Sequence, residues 1–449
     1  MKLKPLVLSI ALGSVSTSSF AAGFQVFQQN ASGLGNAYAG SAAVADNAST
    51  VFYNPAGMTE LKGNNVSVGL NVTDASIKFS ESAPTAYNAG LMNAGNGGNA
   101  GTTPLIPNGY FTSQIDDKLT FGMGIGAPFG SHSKYDGAWV GGAQALEFDI
   151  KSININPSLA YKLNDQISLG FGLNWQKFDA KYKRITGTSS SIAANLVNPL
   201  LSAYSSVNLN LTTGLTEMDL NDSSYGWNAG ALFKLNDKTK VGLSYRSKIK
   251  HSMTGSLSTT GVTGTNATVA GIINAGGTGS GLASITLPHM AFLSIAHQLD
   301  SKWQLLGDVS WTGWSSIPKI DVFNTTGSSP GTPAQTLITD FKDSWRFALG
   351  TNYQYSSGLK LKAGIAYDKT PVKGPSTRLV SLPDNDRTWL TLGAQWKYDK
   401  DSAVDVGLAR VFIKNADINN NQATAGRGLV NGSYNSNAWL FGLQYSKAF

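Results

Sequence analysis

The sequence predicts an all-β protein, a 14-stranded antiparallel transmembrane β-barrel plugged by a small N-terminal hatch. Three observations support this fold. Turn signals divide most of the chain into evenly spaced segments, apolar and small polar residues alternate along those segments, and one Gly- and Ala-rich stretch near the N-terminus is too poor in large apolar residues to form its own core. Such segments are typical of strands that face lipid on one side and an enclosed interior on the other.

The composition favours a membrane barrel over a soluble fold. The 449 residues include 50 Gly, 10 Trp, 16 Tyr and 19 Phe, but only 14% are charged, fewer than a soluble surface usually carries. The absence of Cys excludes disulfides, thiol nucleophiles and zinc-cysteine clusters. The net charge of +7 forms no concentrated basic stripe, so we expect no nucleic-acid partner.

Residues 1–21 have the pattern of a signal peptide. Lys2 and Lys4 precede a short apolar run, and Ser19 and Ala21 supply the small residues of a cleavage site. Beyond residue 21, no apolar run approaches the roughly 20 residues that a membrane-spanning helix needs. The exported chain is therefore either soluble in the periplasm or spans a membrane as strands, which must close into a barrel because lipid cannot satisfy backbone polar groups.

Residues 22–62 are predicted to form the hatch, and residues 63–449 the barrel. From Ala22 to Leu61 almost every side chain is small, and the only charges are Asp46 and Glu60. Fourteen strands enclose more space than the side chains of the wall can fill. We therefore expect this segment to lie inside the barrel.

The strand number follows from the rhythm of the turns. Six short turns alternate with seven long polar loops, and together they separate fourteen strands. The short turns begin at Asp116, Asn164, Asn236, Asp300, Ser356 and Asp399, and the long loops lie near 81–104, 129–144, 185–215, 256–282, 321–340, 372–386 and 417–433. Asp- and Asn-rich turns suit hairpins. Short periplasmic turns with long external loops indicate a multi-pass protein of the bacterial outer membrane.

The alternation of side chains assigns a face to each residue. In the last strand Trp439, Phe441 and Leu443 share the lipid face, whereas Gly442 and Gln444 share the lumen face. This alternation predicts a wet, polar interior. Arg410 falls on the lipid face of its strand, so we expect either a bulge there or a position near the lipid headgroups.

The C-terminal Phe449 follows aromatic residues at alternate positions. This pattern resembles the signal by which the barrel assembly machinery recognises outer-membrane proteins. The alternative is that Phe449 is only an aromatic residue at the edge of the membrane.

Catalysis is not expected. The four histidines have no metal-like spacing and no nucleophile can be paired with them by position, so we predict no enzyme activity, no metal and no cofactor. A barrel enzyme acting on lipids is the one alternative, with Ser284 and His289 as its possible parts.

Several ordered motifs resemble a known family. They include Gly23-Phe24, Asn54-Pro55-Ala56, Trp311-Thr312-Gly313-Trp314 and Leu382-Pro383-Asp384. As a set they resemble the FadL family of outer-membrane transporters for long-chain fatty acids and other hydrophobic compounds, and the likeness covers the chain. The resemblance implies passive uptake with lateral release into outer-membrane lipids, by a protein that acts as a monomer. Uptake of monoaromatic hydrocarbons by the same fold is the alternative.

The resemblance also implies a lateral gap in the third strand, at a kink against Asn54, Pro55 and Ala56 of the hatch. Phe24 matches a hatch residue near the ligand pocket of the family. By parity, three glycines of the third strand face the lumen, with a proline beyond them: Gly122, Gly124, Gly126 and Pro128. They either leave a path through the wall or merely make room for the hatch.

A fatty acid would need a basic partner for its carboxylate. Arg184 faces the lumen and matches a family stretch whose arginine lies in the ligand pocket, and Arg346 also points inward. Weaker candidates at the loop mouths are Lys319, Arg378 and Arg387. For each of these residues, a salt bridge to a lumen carboxylate such as Asp308 or Asp343 is the alternative.

One external loop has apolar residues at helical spacing: Ile192, Leu196, Val197, Leu200 and Leu201. Exposed apolar patches usually mark binding surfaces. We therefore expect a short helix that lines a groove through which the cargo enters, or one that packs on neighbouring loops.

Overall fold

The computed structural model describes residues 23–82, 91, 94–186, 213–264, 267–327 and 330–449. The predicted signal peptide, 1–21, and the predicted groove residues Ile192, Leu196, Val197, Leu200 and Leu201 lie outside these ranges. No helix in the described ranges is long and apolar enough to cross a membrane.

The described residues form fourteen antiparallel spanning strands in one closed sheet, as predicted. They are β1 Asn64–Glu81, β2 Leu105–Gln114, β3 Leu119–Gly126 with Gly130–Lys134, β4 Glu147–Lys162, β5 Ile167–Thr186, β6 Gly214–Asn236, β7 Thr239–Arg246 with Ile249–Thr260, β8 Gly279–Leu287 with Met290–Gln298, β9 Trp303–Thr312 with Lys319–Asn324, β10 Pro333–Ile338 with Ser344–Gln354, β11 Leu359–Asp368, β12 Arg387–Lys397, β13 Ser402–Ile413 with Ala416–Asn421, and β14 Leu429–Ala448. Neighbouring strands pair in chain order, and β14 pairs with β1 to close the barrel.

Helices are short. An α-helix, α1, spans Thr50–Tyr53 in the N-terminal segment, and another, α2, spans Ala267–Gly276 in the loop between β7 and β8. Single 3-10 turns occupy Leu34–Asn36, Pro55–Glu60, Trp314–Ser316 and Ala423–Ala425.

The outer wall confirms the predicted alternation. Trp439, Phe441 and Leu443 are exposed on the outside, whereas Gln444 is buried on the inside. Arg410 pairs in unbroken register with Leu390 of β12 and Trp439 of β14. The predicted bulge is therefore wrong, and the position near the headgroups remains.

The lumen has two zones, so the prediction of a polar interior holds for only half of it. Toward the short turns, the inward residues are polar and buried, as Ser67, Asn71 and Asn228 illustrate. Toward the long loops, many inward residues are apolar: Ile77 and Phe79 on β1, Met218 and Leu220 on β6, Met253 and Leu257 on β7, and Val430 on β14. Alternation defines which face a residue occupies but not how polarity changes along that face.

The N-terminal segment, Gly23–Leu61, lies inside the polar lower zone. It contacts inward backbone of several strands at positions where the wall has glycine. A Cβ built on Gly393 of β12 would lie 2.7 Å from the Cα of Gly35, and one on Gly242 of β7 would lie 1.9 Å from the carbonyl oxygen of Ala42. Glycine in the wall is thus what allows the two backbones to approach.

Charged residues also attach the segment to the wall. Glu60 is the acceptor for two lysines near a short turn, Lys234 at 2.7 Å and Lys240 at 2.6 Å. Burial alone would raise the pKa of Glu60, but the hydrogen bonds and charges of the two lysines outweigh it and hold this pKa below its usual value.

We expect Gly393→Val to displace the N-terminal segment and lower stability by about 1–3 kcal/mol, the usual effect of overpacking. The midpoint of heat unfolding, followed by gel mobility, measures this loss. Gly307→Val is the matched control, because Gly307 of β9 faces lipid and its added Cβ would meet side chains and no backbone, Ile295 at 3.1 Å and Leu349 at 3.9 Å. Equal losses in both variants would contradict the prediction.

Glu60 should make stability depend on pH. Because its pKa is lower in the folded than in the unfolded chain, its contribution is complete above the unfolded value of about 4.3 and is lost as the pH falls through the folded value. Heat unfolding measured between about pH 7 and pH 3 should show this acid-dependent loss, and Glu60→Gln should reduce it. An identical pH profile in the variant would refute the role of Glu60.

Candidate functional site

The N-terminal segment begins in an aromatic cluster that lies between the two zones of the lumen. The backbone N–H of Gly23 donates to Oδ2 of Asp384 at 3.0 Å. The ring of Phe24 lies 4.9 Å from that of Trp314 and 6.0 Å from that of Phe129. All three rings are buried. Phe24 therefore anchors the start of the segment beside the third strand.

The third strand is broken where the kink was expected. Residues 127–129 leave the strand conformation between its two parts. β2 pairs with β3 only as far as Gly109↔Ile125, although β2 itself continues to Leu105 along β1. Direct pairing between β2 and β3 is therefore lost over the upper part of β2.

The N-terminal segment takes over the free edge of β3. The N–H of Val26 donates to the carbonyl of Pro128 at 2.8 Å, and the N–H of Gly130 donates to that of Phe24 at 2.9 Å. These two bonds flank an antiparallel bridge between Gln25 and Phe129. In the break, Val26, Ile106 and Ala127 form a small buried apolar cluster.

One side chain of the segment replaces the missing strand partner. The carboxamide of Gln29 donates through Nε2 to the carbonyl of Ala127 at 2.8 Å and accepts through Oε1 from the N–H of Ala127 at 3.1 Å. Buried backbone groups need such partners. At Ala127 the wall is thus completed by a side chain of the segment and not by β2.

The three glycines of β3 contact the N-terminal segment or β2. A Cβ at Gly122 would lie 2.2 Å from Sδ of Met58, one at Gly126 would lie 2.5 Å from Oε1 of Gln29, and one at Gly124 would lie 3.0 Å from the ring of Tyr110. In this arrangement the glycines make room for these neighbours, which was the second of the two expected roles. Pro128 follows them within the break.

The expected placement of the Asn-Pro-Ala segment against the third strand is wrong. Asn54 donates to the carbonyl of Ala231 on β6 at 3.0 Å, and a Cβ on Gly170 of β5 would lie 2.3 Å from the nitrogen of Ala56. Asn54, Pro55 and Ala56 therefore pack on β5 and β6. The 3-10 turn that starts at Pro55 points the later residue Met58 toward β3.

Two arginines lie together in the upper lumen. Nε of Arg184 donates to Oε1 of Gln335 at 3.2 Å, and Arg427 donates to the carbonyl of the adjacent Ala334 at 3.5 Å. The charges of the two guanidinium groups repel each other. Neither forms a salt bridge to a carboxylate in the part of the chain that the structure describes, so this site carries uncompensated positive charge.

Arg427 was not predicted. It lies in a long loop between β13 and β14, where the sequence offers no strand phase to orient it. Only closure of the barrel brings that loop beside the upper ends of β5 and β10. The signal in the sequence is an arginine that stands alone among the small and polar residues of an external loop.

The other predicted basic residues have different surroundings. Arg346 is buried, donates to the carbonyl of Ala37 at 2.7 Å, and lies over the rings of Phe27 at 4.3 Å and Trp389 at 5.5 Å. Arg346 therefore holds the N-terminal segment. The charges of Asp368 and Asp308 act on Arg346, although Asp308 accepts a hydrogen bond from Ser310. The other expected partner, Asp343, accepts from the N–H of Ser315.

Three predicted candidates interact with protein groups near the loops. Arg387 forms a buried ion pair with Asp384, which is the salt-bridge alternative, and Nε of Arg378 donates to the carbonyl of Asp384 at 3.0 Å. Lys319 pairs with Asp321 at 2.7 Å and is 60% exposed. Its strand neighbour Ile320 is buried in the lumen, so Lys319 faces outward, and its expected position at the lumen mouth is wrong.

His289, one part of the enzymatic alternative, lies among aromatic residues of the outer wall. Nδ1 of His289 lies 2.9 Å from the hydroxyl of Tyr245, and its ring packs against that of Trp311 at 4.7 Å. His289 is therefore an interfacial residue of the outer wall. Among the described residues, no group of three or more His, Cys, Asp or Glu side chains could hold a metal ion.

Comparison with known proteins agrees with this architecture. Residues 12–449 match the family described as "Outer membrane protein transport protein (OMPP1/FadL/TodX)". The chain is 30% identical over 458 residues to the long-chain fatty acid transport protein of Escherichia coli K12, and the match covers 98% of each chain.

Solved structures show the same fold. A FadL homologue of Pseudomonas aeruginosa has a TM-score of 0.84 at 26% identity, covering 95% of this chain and 100% of that one. The toluene transporter TbuX of Ralstonia pickettii has a TM-score of 0.65 at 18% identity, with coverage of 94% and 100%, a likeness of fold alone. The chain therefore belongs to the OMPP1/FadL/TodX family, and it is a transport protein of the bacterial outer membrane and not an enzyme.

Proposed function

We propose that this protein takes up long-chain fatty acids passively. The cargo enters the apolar upper lumen from the long-loop side, its carboxylate binds Arg184 and Arg427, and it leaves sideways between β2 and β3 into the membrane. Residues 22–62 act as the hatch that opens this exit. The observation that carries the proposal is the pair of uncompensated arginines in a compartment that many apolar side chains line.

The physical chemistry of the cargo fits that compartment. Each methylene kept out of water contributes about 0.8 kcal/mol, so inward residues such as Met218, Leu257 and Val430 favour an acyl chain. Charge-assisted hydrogen bonds from guanidinium groups to a carboxylate are about twice as strong as neutral ones. A carboxylate bound between Arg184 and Arg427 would supply a negative partner to both and neutralise one of their two positive charges.

Lateral release is supported by the contrast between the two ways out. Downward, the cargo would meet the buried ion pair between Lys362 and Asp405, whose atoms lie 2.7 Å apart. Lys362 also donates to the carbonyl of Ser32 in the hatch at 2.8 Å. Breaking a buried pair costs about 3–5 kcal/mol. Sideways, the closure consists of the Gln29 carboxamide, two backbone hydrogen bonds and a small apolar cluster. The lateral route breaks no ion pair in that closure and keeps the acyl chain in apolar surroundings.

Uptake of monoaromatic hydrocarbons, such as the toluene of the Ralstonia transporter's name, is the second candidate. The aromatic cluster of Phe24, Phe129 and Trp314 would suit such a cargo. A hydrocarbon has no charge, however, and would leave Arg184 and Arg427 uncompensated. The two cargos therefore differ in their need for these arginines.

We expect Arg184→Ala and Arg427→Ala each to reduce uptake of labelled oleate at least about ten-fold, because the loss of a charge-assisted hydrogen bond of about 1.5–3 kcal/mol corresponds to roughly 10- to 150-fold. Uptake is measured in cells that lack their own transporter, with surface expression of each variant quantified. Lys319→Ala is the control, since Lys319 faces outward. Entry of toluene but not oleate, with no effect of either arginine variant, would replace the fatty-acid assignment by the hydrocarbon one.

The lateral exit can be locked, because the native chain has no Cys. Gln25 and Phe129 form a non-hydrogen-bonded antiparallel pair, the geometry in which Cα atoms are about 4.5 Å apart. In the double variant Gln25→Cys with Phe129→Cys, oxidation should abolish oleate uptake and a reductant should restore it. The single variants, treated identically, are the controls. Unchanged uptake by the fully oxidised protein would rule out an exit that requires this edge to separate.

A further inference from the structure

Arg410 lies at the outer edge of the apolar band on the barrel wall. It pairs with Trp439 of β14, which in turn pairs with Asp74 of β1. Below this row the outward residues of β1 are apolar, as Val72 is, and above it they are polar, as Lys78 is. The row therefore lies where the external headgroups begin, at the level that aromatic girdles occupy in such barrels.

The guanidinium of Arg410 lies beside two aromatic rings of the outer wall. It lies 4.9 Å from the ring of Trp439 and 5.5 Å from that of Phe412, and it forms no salt bridge within the described ranges. Outward carboxylates of nearby strands are engaged elsewhere: Asp74 accepts from the hydroxyl of Thr103 at 3.2 Å, and Asp386 from that of Tyr367 at 2.8 Å. A cation on the lipid face is unfavourable within the hydrocarbon and tolerated near the interfaces.

A shallow apolar groove extends from Arg410 across the outer wall. Its volume is about 680 Å³, and it crosses from Trp439 on β14 to β10. Thr351 and Ala363 form a low floor because their side chains are small, and larger residues form its sides: Leu349, Ile365, Leu392 and Leu408. Above the groove, Lys369 and Lys414 are exposed and add positive charge.

We propose that this groove binds a phosphorylated glycolipid of the outer leaflet, with a phosphate on Arg410 and an acyl chain along the groove. A guanidinium forms paired hydrogen bonds to phosphate oxygens. The rings of Trp439 and Phe412, over which the guanidinium of Arg410 lies, hold it in place. The location at the external edge selects an outer-leaflet lipid. The site faces away from the lumen, so the proposal does not depend on the identity of the transported cargo.

The test uses the full-length protein in phosphatidylcholine nanodiscs containing a small fraction of bisphosphorylated lipid A, or of the same lipid A with its phosphates removed. Bound lipid A is counted by native mass spectrometry. We expect the wild type to bind the phosphorylated form about five-fold more tightly than the dephosphorylated form, the contribution of one basic residue near an anionic lipid surface. Arg410→Leu should remove this difference, and Arg410→Lys should retain part of it.

Lys177→Leu is the matched control. Lys177 is an outward residue of β5, far from the groove along the wall, and it is already paired with Asp179 at 3.4 Å, so its loss should leave lipid A binding unchanged. The proposal is overturned if the wild type does not distinguish the two forms of lipid A, or if Arg410→Leu binds as the wild type does. It is also overturned if Lys177→Leu is equally damaging, or if phosphatidylglycerol binds as tightly as phosphorylated lipid A. The comparison of phosphorylated with dephosphorylated lipid A on the wild type remains a test even if a variant fails to assemble.

Discussion

The structure depends on one constraint, the need to fill and satisfy the interior of a fourteen-stranded barrel. A barrel of this width encloses more space than its own side chains can occupy, and its lower lumen is lined by buried polar groups. The N-terminal segment supplies the missing partners. Its backbone fits against wall glycines such as Gly393 and Gly242, and Ser32 joins the buried ion pair of Lys362 and Asp405.

The same constraint divides the lumen into two compartments with different properties. The lower one is polar and closed by the segment, whereas the upper one is apolar and contains Arg184 and Arg427. An amphipathic molecule from outside therefore meets a compartment that suits both its chain and its charge. At the break in β3, the Gln29 carboxamide bonds the backbone of Ala127 in place of a neighbouring strand. In the proposed function, binding and exit therefore both depend on how the N-terminal segment fits the wall.

The outer surface is completed by lipid, as the lower lumen is completed by the N-terminal segment. Outward apolar residues cover the wall, and Arg410 marks the level at which the surroundings become charged. Its stacking on Trp439 orients a cation that the protein itself does not neutralise. The wall, like the lumen, thus presents a charge whose partner must come from its environment.

Much of the fold could be predicted because the signals are local. Turn chemistry at positions such as Asn164 and Asp300 and the period-two alternation of Trp439, Phe441 and Leu443 depend only on neighbouring residues. The motifs at Gly23-Phe24 and Asn54-Pro55-Ala56 indicated the family for the same reason. The inward direction of Arg184 and Arg346 followed from strand phase, but their different partners did not.

The sequence by itself determined the number of strands, the alternation of faces along spanning strands such as the last one, the small-residue N-terminal segment and the family. Only the tertiary structure decided which residues meet across the lumen. It placed Arg427 beside Arg184, the Gln29 carboxamide on Ala127, Asn54-Pro55-Ala56 on β5 and β6, and Lys319 outside. The physical reason is that strand phase is a property of adjacent residues, whereas contacts between distant strands, loops and the plug depend on closure of the whole barrel.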